Sequence, residues 1–459
     1  MPSTQPDLLP ETRRALRHRL ARAQVSARAP SVAAAVVRDG RPVWLEGWGA
    51  VDGATPGGEV QYRIGSITKT FVTLLVLRLR DEGRLALTDR LDEHLPVSAA
   101  GDATVGSLLA HTSGLAAEPP GPWWERSPGT LRPELADVLH DEPRVHPPGE
   151  RFHYSNPGFA LLGALVERLR GRPWADALAS EVLEPLGLTR TGLRPAAPHA
   201  RGWAVHPWAD VLLPEPAQSY GPMGPAGELW STVDDLSRLA AFLIDGDERV
   251  LRPESLAEMR SPSAAPEAGQ WKAEYGLGTQ LLRRGDRLLS GHTGSVPGFL
   301  ATVWVSPTDG VGAVAVANTT AGLPISGFTA DLLEIVADRE PRIPEPWQPL
   351  AEVEPAVLEL AGPWYWGPAP FALHPRADGR LELSSLAGSD RGTDLHRSGD
   401  GTWVGRNGYF AGERLQVHRD ASGAVTHLDL GTFVFTRQPY APAGVVPGGV
   451  EPGGWRAGR

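Results

Sequence analysis

The sequence Ser66-Ile67-Thr68-Lys69 precedes an apolar run at 71–77, and together they predict a helix over residues 66–82 that ends before Gly83. With Ser66 in the first turn, Lys69 lies one turn later on the same helix face. A serine beside a lysine that can lose its proton is a workable pair of nucleophile and base. A helix with a capping serine and a solvated lysine explains the same residues, so this spacing alone is weak.

The use of basic residues makes this lysine informative. Lys69 and Lys272 are the only lysines, and all the other basic residues are arginines. Lysine differs from arginine mainly because burial can remove its proton. We therefore interpret Lys69 as a candidate base and expect Lys272 to lie on the surface.

Composition excludes several classes of function. The formal net charge of −10 argues against a nucleic-acid partner, which requires a basic surface. The absence of cysteine excludes disulfides, thiolate metal sites and cysteine nucleophiles. The histidines show no spacing typical of metal ligands, so we expect no metal site and no other cofactor.

The N-terminal region predicts neither a secretory signal nor a membrane anchor. Five arginines lie between Arg13 and Arg22, and no apolar core of the ~7–15 residues that a signal requires is present. Leu9, Leu16 and Leu20 form a thin apolar face, which is typical of a solvated surface helix rather than a membrane-binding one. We therefore expect a cytoplasmic protein without a membrane partner.

Two further segments carry side chains suited to chemistry. Tyr154-Ser155-Asn156 precedes an apolar helix; a tyrosine can transfer a proton, and an asparagine amide can orient a carbonyl or a lysine. His292-Thr293-Gly294-Ser295 precedes a predicted strand, where the backbone N–H near Ser295 could pair with that of Ser66 in an oxyanion hole. Each segment also has a purely structural interpretation. The first can be a loop that enters a helix, and the second can be the start of a strand that contains a histidine by chance.

The order of the predicted elements indicates an α+β fold. Strands cluster near both ends of residues 31–340, and helices lie between them. This pattern predicts one antiparallel sheet built from N-terminal and C-terminal strands and flanked by helices. The main predicted elements are a hairpin over 31–51, helices over 158–170 and 232–244, strands over 299–305 and 311–317, and a helix over 323–339.

The sequence changes character near residue 340. We predict a main domain over 1–340 and a linker rich in proline and glutamate over 341–357. Short alternating runs separated by turns then predict a small antiparallel β-barrel over 358–440. The remaining residues, 441–459, are rich in proline and glycine and are predicted to be a flexible tail.

The three polar segments, taken in order, resemble the serine β-lactamase and penicillin-binding-protein superfamily. The resemblance is greatest to its class C β-lactamase-related branch, which includes D-aminopeptidases, esterases and DD-carboxypeptidases. Further stretches at 108–115, 183–188 and 275–278 are similar to family motifs. The resemblance covers about residues 28–340, and the predicted barrel is similar to a lipocalin-like domain found in some members.

The resemblance implies a β-lactamase/transpeptidase-like fold and a role for each matching residue. It makes Ser66 the nucleophile, Lys69 and Tyr154 the proton-transfer pair, and His292 a catalytic residue of the third motif. It makes Asn156 a contact of the substrate or of Lys69. The substrate-binding residues that it implies beside Asn156 are Thr293, Gly294 and Ser295.

The third motif departs from the β-lactamase pattern at one position. His292 stands where β-lactamases and DD-peptidases commonly have a lysine that binds a substrate carboxylate. A histidine with an ordinary pKa near ~6.5 lacks that fixed charge at neutral pH. We therefore expect esters to be better substrates than β-lactams, and any acylation by β-lactams to rise as protonation of His292 begins, toward pH ~6.

Several functions remain open at this point. The first is a serine hydrolase that acts through a Ser66 acyl-enzyme on an ester, an amide or a small peptide, as an esterase or a D-aminopeptidase-like enzyme. The alternatives are a penicillin-binding-protein-type thioesterase or peptide cyclase, a β-lactamase or DD-carboxypeptidase, and a non-catalytic binding protein of the same fold. The expected partner is a small-molecule substrate.

Overall fold

The computed structural model describes residues 8–97, 99–131, 134–263, 273–344, 346–350, 352, 354–388 and 391–441. The chain forms two compact units that divide between Arg342 and Ile343. Lys272 and residues 442–459 of the predicted tail lie outside the described residues. None of the described helices is long and apolar enough to cross a membrane.

The first unit alternates helices with strands. Its helices are α1 (Pro10–Ala27), α2 (Ile67–Asp81), α3 (Val105–Leu109), α4 (Asn156–Arg170), α5 (Trp174–Leu178), α6 (Glu184–Leu186), α7 (Gly224–Gly227), α8 (Val233–Asp245), α9 (Pro253–Met259) and α10 (Ile325–Arg339). Its strands are β1 (Ser31–Arg38), β2 (Arg41–Gly49), β3 (Gln61–Arg63), β4 (Trp203–Val205), β5 (Leu212–Pro214), β6 (Trp230–Thr232), β7 (Ala273–Tyr275), β8 (Gln280–Arg284), β9 (Arg287–Val296), β10 (Phe299–Ser306) and β11 (Val311–Ala317).

The central sheet has the strand order β2-β1-β11-β10-β9-β8-β7, and its pairs are antiparallel. The N-terminal strand β1 lies beside the C-terminal strand β11, with Val32 opposite Ala317 and Arg38 opposite Val311. The predicted sheet of N-terminal and C-terminal strands is therefore confirmed.

Every residue of β1 is buried, because helices cover both faces of the sheet. Ala33, Ala35 and Val37 pack into a core with α2, α4 and α8. Their neighbours in sequence point to the opposite face and join a second core with α1 and α10. Leu16 and Leu20 of the predicted thin apolar face thus pack into the second core rather than remaining solvated, whereas Leu9 is exposed.

Helix α2 lies inside the first core rather than at its surface. Twelve of its fifteen residues are buried, including Lys69, whose exposed fraction is 0%. The structure therefore excludes the interpretation of Lys69 as a solvated lysine on an ordinary amphipathic helix. A fully buried lysine is rare in proteins, which makes its partners the next question.

The second unit contains the short helix α11 and a closed antiparallel β-barrel, which confirms the predicted barrel. Trp364 lies at its centre and donates its indole N–H to the Leu360 carbonyl oxygen at 2.7 Å. Trp366, two residues later, is 37% exposed. The elements of this unit are α11 (Pro355–Leu358), β12 (Gly362–Trp366), β13 (Ala369–Pro375), β14 (Leu381–Ser385), β15 (Thr393–Arg397), β16 (Trp403–Gly405), β17 (Arg414–Arg419), β18 (Val425–Leu430) and β19 (Phe433–Thr436).

A chain that ends at Arg342 should fold and keep a reactive Ser66, because the two cores of the first unit draw only on residues before that point. Circular dichroism and labelling of Ser66 by a fluorophosphonate probe measure the two properties. A folded 1–342 chain that the probe does not label would show that the barrel contributes to the site.

Candidate active site

Ser66 is placed at the N-terminus of α2 by the residue before it. Gly65 has a φ of +51°, a conformation that favours glycine, and Ser66 itself has helical angles. The helix that follows carries Lys69 one turn later. The Lys69 amino nitrogen Nζ lies 2.9 Å from the Ser66 Oγ.

The Lys69 amino group has two further partners, both oxygen acceptors. Nζ donates to the Asn156 Oδ1 at 2.8 Å and to the Ala226 carbonyl oxygen at 2.6 Å. Burial lowers the pKa of Lys69 from its usual value near 10.5 to about 7, although Glu118 and Glu125 oppose this shift. Lys69 is therefore neutral in a large fraction of molecules at physiological pH, as a general base must be.

The segment Tyr154-Ser155-Asn156 is held in place by a buried histidine. His111 accepts a hydrogen bond from the Ser155 backbone N–H at its Nδ1, at 3.0 Å. Its ring also lies 4.2 Å from the Tyr154 ring, measured between centroids. The Ser155 hydroxyl caps α4 by accepting from the Gly158 N–H. His111 thus holds the backbone of Ser155 and packs against the ring of Tyr154.

Tyr154 lies beside both members of the Ser66–Lys69 pair. Its side chain lines the same cavity as Ser66, and the Lys69 Nζ lies 4.9 Å from the centroid of its ring. Burial raises the pKa of Tyr154 well above its usual value of 10. The phenol is therefore protonated at neutral pH, so it can donate a proton but is a poor resting base.

Two glycines allow strand β9 to lie directly against the start of α2. A Cβ on Gly294 would lie 1.9 Å from the Ile64 carbonyl oxygen, and one on Gly65 would lie 2.8 Å from the Ser295 nitrogen. The Thr293 backbone N–H points away from β10 and donates to the Gln280 side-chain oxygen at 3.1 Å. Because strands alternate with a period of two, the Ser295 N–H points to the same side as that of Thr293, toward Ser66.

His292 does not reach the cavity. Its Nδ1 donates to the Thr293 carbonyl oxygen at 2.6 Å, and its Nε2 accepts from the Tyr275 hydroxyl at 2.9 Å. Burial and the nearby Lys69 lower the pKa of His292 to about 3. This imidazole therefore stays neutral near pH 6 and cannot replace a lysine there, which removes the reason to expect β-lactam acylation to rise toward pH 6.

Ser66 opens into a cavity of about 330 Å³. Of the predicted residues, the cavity wall includes Ser66, Tyr154, Asn156, Thr293 and Ser295. Lys69 and Gly294 lie just behind this wall, and His292 lies deeper. The other lining residues are Glu118, Trp124, Glu125, Ala226, Gly227, Gln280 and Val296.

Sequence reasoning missed the two carboxyl groups of this cavity. Glu118 accepts from the Asn156 amide at 2.9 Å and from the Trp124 indole at 2.7 Å. Glu125 accepts from the Trp123 indole at 2.9 Å, and burial raises its pKa. The loop over residues 118–125, which carries both glutamates, thus gives the cavity an acidic wall.

Comparison with known families now adds to this geometry. The Beta-lactamase family matches residues 13–337, which is more than half of the chain. The chain therefore belongs to the β-lactamase family, and it is a serine hydrolase of that family. A second family, described as a domain of unknown function (DUF7586), matches residues 353–437.

Individual relatives agree with this assignment. The chain is 32% identical to penicillin-binding protein 4 of Amycolatopsis lactamdurans over 325 residues, which are 66% of this chain and 83% of that protein. An octameric penicillin-binding protein homologue from Pyrococcus abyssi shares the fold, with a TM-score of 0.64 at 21% identity over 92% of this chain and 99% of that one. A D-stereospecific amidohydrolase from Streptomyces sp. has a TM-score of 0.58 at 25% identity over 70% of this chain and 98% of that one.

Proposed function

We propose that this protein hydrolyses amides or esters of amino-group-bearing acyl compounds through an acyl-enzyme on Ser66. The observation that carries the proposal is the buried Lys69, whose amino group lies 2.9 Å from the Ser66 Oγ and whose pKa is lowered to about 7. In such a pair, the serine hydroxyl supplies the nucleophile of acyl transfer and the neutral amine supplies the base.

The hydrogen bonds of Lys69 support a direction for proton transfer. A neutral amine has two N–H groups and one lone pair. Since the Asn156 Oδ1 and the Ala226 carbonyl oxygen accept the two N–H groups, the lone pair points at the Ser66 hydroxyl. Ser66 then donates its proton to Lys69 as its Oγ attacks the substrate carbonyl carbon.

We assign stabilisation of the oxyanion to the backbone N–H groups of Ser66 and Ser295. The close packing of Gly65 and Gly294, which brings the start of α2 and strand β9 together, supports this assignment. Preorganised donors of this kind contribute more than the same groups in water, because they need no reorganisation as charge develops.

Tyr154 completes the cycle as the proton carrier. Its protonated phenol lines the same cavity as Ser66, which supports a role in passing a proton to the leaving nitrogen or oxygen. Lys69, which holds the proton from Ser66, can restore the phenol. In the second half of the cycle, water attacks the acyl carbon and gives a proton to Tyr154, which passes its own to Lys69. Lys69 then returns a proton to the Ser66 Oγ as the acyl group leaves as the free acid.

The acidic wall supports the choice of substrate. The charged side chains that line the cavity among the described residues are Glu118 and Glu125, so a substrate ammonium group is favoured and a substrate carboxylate is repelled. A bound ammonium group also disfavours protonation of Lys69 and keeps the base neutral. The similar Streptomyces amidohydrolase is described as D-stereospecific, and we extend its amide chemistry to this protein.

The test is to trap the acyl-enzyme. Amino-acid amides and p-nitrophenyl esters, in both D and L forms, are incubated with the protein beside a cephalosporin, and intact mass and peptide mapping follow. We expect an acyl adduct on the Ser66 peptide with amino-group-bearing substrates. Folded protein that forms no adduct, or a Ser66→Ala variant that forms the same one, would refute the proposal.

The role of the acidic wall gives a prediction of its own. Glu125→Gln should lower kcat/KM for alanine p-nitroanilide by about 10-fold, equivalent to ~1.4 kcal/mol, because an attractive charge is lost. The value for N-acetylalanine p-nitroanilide, which has no ammonium group, should change little. Glu142→Gln, an exposed loop variant outside the cavity wall, is the control. Equal losses with the two substrates would exclude recognition of an ammonium group by Glu125.

A further inference from the structure

A cluster of two histidines and an aspartate lies on the outer face of the barrel, in the second unit. His418 on β17 is the direct cross-strand partner of His427 on β18. Asp429 follows two residues after His427, on the same face of the strand. Leu428 and Leu430 alternate with them and point into the barrel core. The three polar side chains therefore share one patch on two hydrogen-bonded strands.

The three side chains converge. One potential ligand atom from each lies within 4.8 Å of the other two. The His418 Nε2 is 2.8 Å from the Asp429 Oδ2, and the two imidazole rings stack with centroids 4.2 Å apart. Ligands of a tetrahedral zinc ion at ~2.0–2.1 Å lie roughly 3.4 Å apart, so small rotations of these side chains would suffice to bind one.

The contacts of Thr426 favour one tautomer of His427. The Thr426 hydroxyl donates to the His418 carbonyl oxygen at 3.2 Å. The 2.9 Å contact between its oxygen and the His427 Nδ1 is satisfied at the same time when Nδ1 carries the imidazole proton. The His427 Nε2 then carries a lone pair. A hydrogen bond that orients the second nitrogen of an imidazole is the usual support of a metal-binding histidine.

Two atoms of the cluster lack hydrogen-bond partners among the described residues. The His418 Nε2 and the Asp429 Oδ1 are buried and make no hydrogen bond, since the short contact between His418 and Asp429 has the distance of an ion pair without hydrogen-bond geometry. Buried polar atoms of this kind are uncommon and call for a partner. A cation shared by the nitrogen and the carboxylate would satisfy both.

We propose that His418, His427 and Asp429 bind one Zn²⁺ ion, with water in the fourth position. Two neutral imidazoles and a carboxylate are ligands that zinc takes readily, whereas Mg²⁺ and Ca²⁺ prefer oxygen alone. Side chains of His418 and Asp429 are 39% and 27% exposed, which leaves an approach for the ion and its water. The ion would tie β17 to β18 beside the bulge between His418 and Arg419.

The test uses the full chain without an affinity tag, stripped with EDTA and titrated with ZnCl₂. We expect one zinc per chain by elemental analysis and a higher midpoint for thermal unfolding of the barrel when zinc is present. His427→Gln and the isosteric Asp429→Asn should weaken zinc binding by at least 10-fold and abolish the shift in the midpoint.

Two control variants locate the ion. His396→Gln changes an exposed histidine of the same barrel, and the double variant His146→Gln/His153→Gln removes another histidine pair, whose rings lie 4.9 Å apart. Both controls should bind zinc like the wild type. Wild-type protein without stoichiometric zinc at micromolar concentrations, unchanged binding by Asp429→Asn, or loss of zinc only in the His146/His153 variant would overturn the proposal. Unfolding of each variant in EDTA shows whether the barrel itself is intact.

Discussion

Lys69→Arg should reduce the rate of acylation of Ser66 by about 1,000-fold or more, the upper part of the range for loss of a general base. Arginine keeps a positive charge but cannot lose its proton, so it cannot accept one from Ser66. Ser66→Ala should abolish acylation altogether. The measurement is the second-order rate constant for labelling by a fluorophosphonate probe, with circular dichroism as the check on folding.

The pH profile separates loss of the base from misfolding. Because the neutral amine is the reactive form, the labelling rate of the wild type should fall about tenfold per unit below the Lys69 pKa of about 7 and level off above it. Lys69→Met, which fills the same space without an amine, should be inactive at every pH. A Lys69→Arg protein that retains most of the wild-type rate would refute the role assigned to Lys69.

Gly294→Ala should lower the same rate by about 100-fold to 1,000-fold, the loss seen when one oxyanion donor is removed. The added Cβ would lie 1.9 Å from the Ile64 carbonyl oxygen, so β9 must move away from the start of α2. That movement separates the N–H groups of Ser66 and Ser295. The cavity can still admit a substrate, so in turnover of an amide or ester substrate the loss should appear in kcat more than in KM.

Gly192→Ala is the matched control for this variant. No atom lies within 4 Å of a Cβ at Gly192, whose φ is not positive, so alanine is accommodated there without strain. It should keep the wild-type rate. A Gly294→Ala protein with the wild-type rate would show that the close approach of β9 and α2 is unnecessary for catalysis.

The parts of the fold that repeat a regular pattern could be predicted from the sequence. The predicted hairpin over 31–51 corresponds to β1 and β2, and the helix over 66–82 to α2, within one or two residues. These elements are long and have clear apolar periodicity. Strand β15 lacks so clear a signal, because its sequence, Thr393 to Arg397, is mostly polar and only two of its residues are buried.

The candidate site was predictable only where its residues form short motifs. Ser66 and Lys69 lie one helical turn apart, so their contact follows from helix geometry. Glu118 comes from an irregular loop, and its contact with Asn156 depends on tertiary packing that no local pattern encodes. The burial of His292 was likewise invisible, since it depends on Tyr275 of another strand.

The cluster on the barrel illustrates the same limit. His418 and His427 are nine residues apart, and their spacing resembles no common metal-binding motif. They meet because β17 and β18 pair in a register that places them opposite each other. Strand register is set by the hydrophobic pattern and the turn, so it emerges only with the barrel.

The buried amine also ties the free energy of unfolding to pH. Lys69 has a pKa of about 7 in the folded protein and near ~10.4 when exposed in the unfolded chain, so between these values the unfolded chain holds one more proton. Its contribution to stability therefore rises with pH across this window, by up to ~1.4 kcal/mol per unit, and is lost as the pH falls toward 7. The wild type should show this slope relative to Lys69→Met, so the residue that activates the serine lowers the free energy of unfolding most at neutral and acidic pH.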